Sequence, residues 1–302
     1  MQFQLSAILI AAAIAAQPRQ VAITFDDLPD IGAESHPIEI QESLTTQLLA
    51  ALAKEHVPAA GFVNEDKLND DPRRIALIAE WIDAGNEIGN HTYSHVDLDQ
   101  TTIDEYESDI LRGETITRPL LASRGKTLRW FRHPYLDTGS TLATRDAIDA
   151  FLASHGYRVA PVTIDDSEWI YDLAYDRAPA WQRPIIRRSY IRYMRRRFEW
   201  VEAKSRLVFR RDIAHVLLLH ASTLNADAFP QLASMMRGRG YRFVTLDEAL
   251  RDRAYGTPDR WTGGGVGWVE RWGVARGFAA RNFENDPRVP SWIQRLAGKK
   301  DE

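Results

Sequence analysis

Two adjacent carboxylates, Asp26 and Asp27, close an apolar run that ends in Thr24-Phe25, and further along His91 and His95 stand four residues apart in Gly89-Asn90-His91-Thr92-Tyr93-Ser94-His95. On one helical turn that spacing puts both imidazoles on the same face, near enough to share a divalent ion. A carboxylate from another strand end would supply the third ligand and leave positions open for water and substrate. Each piece has a plainer alternative. An Asp-Asp pair after a strand is more often a helix N-cap or a turn, and two nearby histidines are as often surface or turn residues. Adjacent strand residues also point to opposite sides, so Asp26 and Asp27 would do different jobs unless the chain turns there.

The pattern repeats three more times. Phe131 runs into Arg132-His133-Pro134-Tyr135, Ile164 into Asp165-Asp166-Ser167-Glu168-Trp169, and Val216-Leu217-Leu218-Leu219 into His220. A single histidine after an apolar strand is usually structural or a cap. Five such groups at five strand ends carry more weight, because the carboxyl ends of parallel barrel strands converge on one rim where catalytic side chains gather. Independent caps and turns would have to coincide there.

The strands that deliver these groups are read from short β-branched or aromatic runs at residues 21–25, 59–63, 87–90, 128–131, 158–164, 215–219 and 242–245. They alternate with stretches of helical period, such as 40–56 with Leu44, Leu48, Leu49 and Leu52 on one face, and 72–84 with Ile75, Ile78, Ala79 and Ile82. The expected class is therefore α/β with a parallel sheet. Gly85, Gly156 and Gly240 each stand between a helical run and the next strand, where a C-terminal cap is expected.

An insertion over 169–212 carries Arg187, Arg188, Arg192, Arg195, Arg196 and Arg197, while Ile186, Tyr190, Tyr193, Phe198 and Val201 recur through it at near-helical spacing. This predicts an amphipathic helix on the barrel with a solvated basic face, the other reading being a cationic surface for an anionic envelope polymer. After Asp252 the chain turns rich in Gly, Trp and Arg without readable periodicity; Trp261, Trp268, Trp272 and Trp292 are expected to pack on the barrel rather than stack on sugar rings. The expected organisation is an apolar segment at 1–16, a barrel over 20–252 and an extension over 253–302.

The 302 residues, 44% hydrophobic and 26% charged, suit a folded chain with one large barrel. A formal charge of −4 argues against a nucleic-acid binder. With no cysteine, disulfides and thiolate metal ligands are excluded. Residues 1–16 resemble the apolar core and small-residue end of a signal peptide, although no Lys or Arg precedes the run. The run falls short of the roughly 20 apolar residues of a membrane span. Export to the periplasm or envelope is the expectation, with the cytoplasm as the alternative.

In order and spacing, Thr24-Phe-Asp-Asp27, His91-Thr-Tyr-Ser-His95, Arg132-His-Pro-Tyr135, Asp165-Asp-Ser-Glu-Trp169 and Leu217-Leu-Leu-His220 resemble the five motifs of polysaccharide deacetylases, carbohydrate esterase family 4. The resemblance implies a distorted (β/α)7 barrel similar to a TIM barrel, in agreement with the separate count of strands. It implies removal of acetyl groups from a glycan of N-acetylglucosamine type, such as peptidoglycan or chitin oligomers. It also implies a metal held by Asp27, His91 and His95, most simply Zn2+, with Co2+, Mn2+ or Fe2+ suited to the same donors. Asp26 would be the general base and Arg132 would hold it; the Tyr135 backbone N–H would face the oxyanion; His220 would be the acid for the leaving amine, oriented by Asp165. Trp169, Leu217 and Leu219 would shape an apolar slot for the acetyl methyl.

The chain departs from the family pattern in places. Motif four usually carries a second Asp before its Trp, where Glu168 stands here; Asp166 is an alternative to Asp165; and His133 either reaches the substrate or packs. The same chemistry would serve an esterase on O-acetylated polysaccharide or an amidohydrolase on a small cyclic amide. A carbohydrate-binding barrel without activity would have no need of a paired base and acid.

Overall fold

The computed structural model describes residues 18–299; the apolar segment at 1–16 lies outside them. Parallel strands β1 (Arg19–Leu28), β2 (Ala59–Val63), β3 (Glu87–Asn90), β4 (Trp130–Phe131), β5 (Arg158–Val159), β6 (His215–His220) and β7 (Tyr241–Phe243) form one sheet. Its order is β5-β4-β3-β2-β1-β6, with β7 paired to the first residues of β1. The expected strand at 158–164 is split between two neighbours. Its first residues pair with β4, the chain then crosses over, and Ile164 bridges to β6, accepting from Leu218 N at 3.1 Å. That crossing closes the distorted barrel.

Side-chain alternation separates two apolar layers. Ala22, Ala60, Phe62, Trp130, Ala160 and Val216 fill a small cluster within the sheet, while Val21, Ile23, Phe25, Leu217 and Leu219 join the large core beneath the helices. Along β1 the inward series is Ala22, Thr24, Asp26. The apolar floor therefore gives way to polar groups toward the carboxyl rim.

The helices are α1 (Ile38–Lys54), α2 (Pro72–Asp83), α3 (Ile103–Arg112), α4 (Thr117–Ala122), α5 (Leu142–Ser154), α6 (Glu168–Arg177), α7 (Arg183–Phe209), α8 (Thr223–Gly238), α9 (Leu246–Ala249), α10 (Trp268–Ala275) and α11 (Ser291–Leu296). Local sequence explains their ends. Asp71 caps α2 by accepting from Arg73 N at 2.8 Å, with Pro72 at the first helical position. Gly85, Gly156 and Gly240 follow α2, α5 and α8 with φ of 88°, 78° and 82°, the left-handed caps expected of them.

The arginine-rich insertion forms α6 and α7, and α7 buries Ile186, Tyr190, Tyr193, Phe198 and Val201 as its periodicity predicts. Arg188, Arg192, Arg195 and Arg196 are exposed, but Arg197 leaves that basic face: it is buried and pairs with Asp286 of the extension at 2.6 Å. In the extension, Trp268 and Trp272 are buried, Trp272 edge-on to Phe209 and Tyr255, whereas Trp292 stays exposed. Among the described residues no helix is long and apolar enough to cross a membrane.

Candidate active site

Alternation along β1 would send Asp27 away from Asp26. The chain turns instead: the pairing of β1 with β2 slips between Phe25 and Leu28, and Asp27 takes a left-handed φ of 64°. This bulge brings both carboxylates to the rim.

His91 and His95 do not sit on a helical turn. The stretch from 91 to 97 is a loop in which Thr92 and His95 have φ of 61° and 56°. Its shape is imposed by buried side chains around it. Asn64 donates to the His91 carbonyl, Asn90 Oδ1 accepts from Thr92 N at 2.7 Å, and Asp109 accepts from Ser94 N at 2.9 Å. Gly113 packs on the loop so closely that a Cβ there would lie 2.7 Å from the Thr92 carbonyl carbon.

These two devices gather Asp27, His91 and His95, whose ligand atoms all lie within 4.8 Å of one another. Asp27 Oδ1 is 3.8 Å from His91 Nε2 and 3.6 Å from His95 Nε2, is buried, and has no hydrogen-bond partner. His91 Nδ1 lies 2.8 Å from the Arg132 carbonyl; donating there, it leaves the Nε2 lone pair facing Asp27. Burial pushes both imidazoles down to about 4, against the pull of Asp27, so both are neutral near pH 7 and able to ligate. Two neutral imidazoles and an orphaned carboxylate oxygen are a donor set that fits a divalent ion. Lys67, which drew no notice in the sequence, sits 3.4 Å from Asp27 Oδ2 and occupies the other carboxylate oxygen. No motif marks it: it is one lysine in a short 3-10 turn, Glu65–Leu68, of otherwise ordinary polar sequence.

Next to this cluster, Asp26 is held by Arg132, whose Nη1 is 3.1 Å from each of its oxygens. Arg132 is fully buried and also donates to the Ala160 carbonyl at 2.7 Å and to Thr24 Oγ1 at 3.1 Å. Burial pushes the Asp26 carboxyl up, and the Arg132 charge opposes that shift. A carboxylate near a cation but not wholly stabilised is the condition of a usable base.

Across the same cavity stands His220, whose expected partner Asp165 is not the one observed. Glu168 Oε2 is 2.9 Å from His220 Nδ1, while its Oε1 accepts from His220 N at 2.7 Å and from Asn225 Nδ2 at 2.6 Å. Glu168 begins α6 and points back to β6; Asp165, three positions earlier, lines the same cavity but makes no hydrogen bond to His220 among those of the described residues, and offers its carbonyl to Arg197. Burial pulls the imidazole down, but Glu168 outweighs it and raises His220 to about 10.

The cavity that joins these groups has a volume of about 530 Å³. Trp169 lines it, as does Leu218, whereas Leu217 and Leu219 face the outer core. The expected apolar slot is thus misassigned by one residue of strand parity, since Leu218 shares the face of His220. Tyr135 has φ 56° and ψ 13°, is largely exposed, and stands edge-on to His95 with centroids 4.6 Å apart. His133 is buried, with Nδ1 3.2 Å from Tyr106 Oη, and its Nε2 has no protein partner. Burial pushes it down to about 3, so it is a neutral wall of the cavity.

Three comparisons bear on this arrangement. The polysaccharide deacetylase family profile matches residues 13–160. A peptidoglycan-N-acetylglucosamine deacetylase of Bacillus cereus is 33% identical over 116 residues, which are 38% of this chain and 36% of that protein, so the chain spans little more than a third of it. A second one from the same organism is 24% identical over 76% of this chain and 88% of its own length, and a chitin deacetylase of Colletotrichum lindemuthianum is 24% identical over 81% and 83%. Among solved structures, a mutant of a CE4 family pseudoenzyme with restored enzymatic activity shares the fold, with TM-score 0.51 and 18% identity over 78% of this chain and 68% of that one.

Proposed function

The chain belongs to the polysaccharide deacetylase family, and from that premise we propose that it is a metal-dependent hydrolase that removes acetyl groups from an N-acetylglucosamine polymer of the peptidoglycan or chitin kind. The observation that carries this reading is the placement of a held carboxylate, Asp26, and a held imidazolium, His220, on the walls of one cavity that also contains Asp27, His91 and His95. A binding protein has no use for such a pair. The relatives named as peptidoglycan and chitin deacetylases support the substrate class.

In this reading, Asp27, His91 and His95 hold a divalent ion, which when bound polarises the acetamide carbonyl and brings a water molecule's pKa toward neutrality. Asp26 accepts the proton of the attacking water at a carboxylate oxygen, and Arg132 keeps that carboxylate aimed. The Tyr135 backbone N–H is the assigned donor to the carbonyl oxygen as it gains charge. An amide nitrogen cannot leave as an anion at neutral pH, so His220 Nε2–H gives its proton to that nitrogen as the C–N bond breaks. Acetic acid and a free amine result, with one water proton on Asp26 and the other on the acid, whose ionisation to acetate returns a proton equivalent to the one His220 gave. Glu168 keeps His220 protonated and turned into the cavity. Trp169 and Leu218 bound the space for the acetyl methyl.

Acetate release from N-acetylglucosamine oligomers, O-acetylated xylan and small cyclic amides separates the chemistries. Release from the oligomers is expected. Acetate from xylan alone, or ring opening without acetate, would replace the reading by an esterase or a cyclic amidohydrolase.

A further inference from the structure

A second cleft, of about 320 Å³, lies beside the catalytic cavity, and both are lined by Asp165, Asp166, Ser167 and Gly265. Its far wall comes from the insertion and the extension: Arg197 of α7, Glu270 of α10, and Asp286. Four carboxylates, Asp165, Asp166, Glu270 and Asp286, therefore line this cleft with one guanidinium, that of Arg197. That guanidinium is committed, with Nη1 on Asp286 Oδ2 at 2.6 Å and Nε on the Asp165 carbonyl.

The acidic groups are not all compensated. Asp166 is 8% exposed; its Oδ1 accepts from Glu168 N at 2.8 Å, but its Oδ2 is buried without a hydrogen-bond partner. Glu270, half-buried, makes no ion pair among the described residues. Burial pushes both carboxyls up, with Glu168 and Asp165 adding repulsion at Asp166 and Asp286 adding it at Glu270, and the shared Arg197 charge opposes the shift at each without cancelling it. A metal ion does not answer this geometry. The group of His, Asp and Glu found with ligand atoms converging among the described residues is Asp27, His91 and His95, not these four. A cation with several N–H donors, carried on a larger polar body that fills the cleft, does answer it.

We propose that this cleft is a subsite for an ammonium-bearing sugar, a glucosamine unit flanking the N-acetylglucosamine whose acetyl group is removed. The inference rests on the proposed function for the identity of the polymer. Each turnover converts a neutral acetamide into an amine that is protonated near neutrality, so the product unit of one event becomes the preferred neighbour of the next. The enzyme then favours chains already partly deacetylated and leaves free amines in runs.

The test uses the full chain and two β-1,4-linked tetramers, one fully deacetylated and one fully acetylated. By calorimetry at low salt, the glucosamine tetramer binds wild type, and Glu270→Gln and Asp166→Asn each weaken that binding roughly ten-fold, the value of one charge-assisted hydrogen bond. Raising the salt weakens binding to wild type in the same direction. Circular dichroism shows which variants are folded, and Glu270→Gln, on the rim, serves if Asp166→Asn is not. Absence of binding to the glucosamine tetramer, or equal binding by wild type and Glu270→Gln, overturns the proposal whether or not the enzyme turns over. Failure to release acetate from the acetylated tetramer refutes the proposed function instead, and the binding result stands apart from it.

Discussion

His91 and His220 line the same cavity, His91 buried and His220 partly exposed, and near neutral pH one is neutral and the other protonated. The difference lies behind each ring. His91 sets Nδ1 against a neutral carbonyl, that of Arg132, so burial dominates and drives it down to about 4. His220 sets Nδ1 against the Glu168 carboxylate, which overcomes the cost of burial and lifts it to about 10. One side chain type is thus neutral on one wall, as the proposed metal ligand must be, and protonated on the other, as the proposed acid must be, through the group behind the ring.

Removing the acid side breaks the comparison most severely. His220→Ala is expected to lower kcat by roughly 10²–10⁴-fold, read as acetate release with bound metal unchanged by elemental analysis. A smaller loss would mean that solvent protonates the leaving amine. On the metal side, Arg132→Met leaves Asp26 buried without its partner, and urea unfolding should show a destabilisation of about 3–5 kcal/mol. An unaltered midpoint would show that Asp26 and Arg132 are not a mutually dependent buried pair.

Glu168→Gln keeps the shape behind His220 and removes the charge. The raised pKa of His220 depends on that charge, and the proposed acid acts in its protonated form, so activity should be lost as pH rises through the His220 pKa. Lowering that pKa moves the alkaline limb of the kcat profile to lower pH. A limb that stays put would remove Glu168 from the account. The smallest effect belongs to the slot. Leu218→Ala should raise KM a few-fold, on the order of one to two buried methylenes at about 0.8 kcal/mol each, whereas Leu217→Ala should cost stability and leave KM unchanged. The reverse pattern would restore the other strand parity.

The rim was legible from sequence because each polar group follows an apolar strand, and strand ends are where a parallel barrel gathers its chemistry. Other features were hidden for identifiable reasons. The left-handed turns at Asp27, Thr92 and His95 are not announced by glycine; tertiary hydrogen bonds from Asn64, Asn90 and Asp109 hold the His91–His95 loop. The run Val216-Leu217-Leu218-Leu219 is apolar on both faces, because β6 is buried on both, so its alternation cannot be read without anchoring it to His220. The choice between Asp165, Asp166 and Glu168 depends on where α6 begins, which the sequence leaves uncertain by a residue or two. Arg197 looked like one more arginine of a basic face, and only the fold of the extension explains why it turns inward.

The central claim is that a metal-dependent site with Asp26 as its base removes acetyl groups. It is tested most directly by acetate release from an N-acetylglucosamine tetramer, using metal-stripped wild type, the same protein after Zn2+ is restored, and Zn2+-loaded Asp26→Asn. The account predicts no release from stripped protein, full recovery with Zn2+, and a loss of roughly 10²–10⁴-fold in the variant although it still binds the ion. Release that survives metal removal, or is untouched by Asp26→Asn, would contradict it.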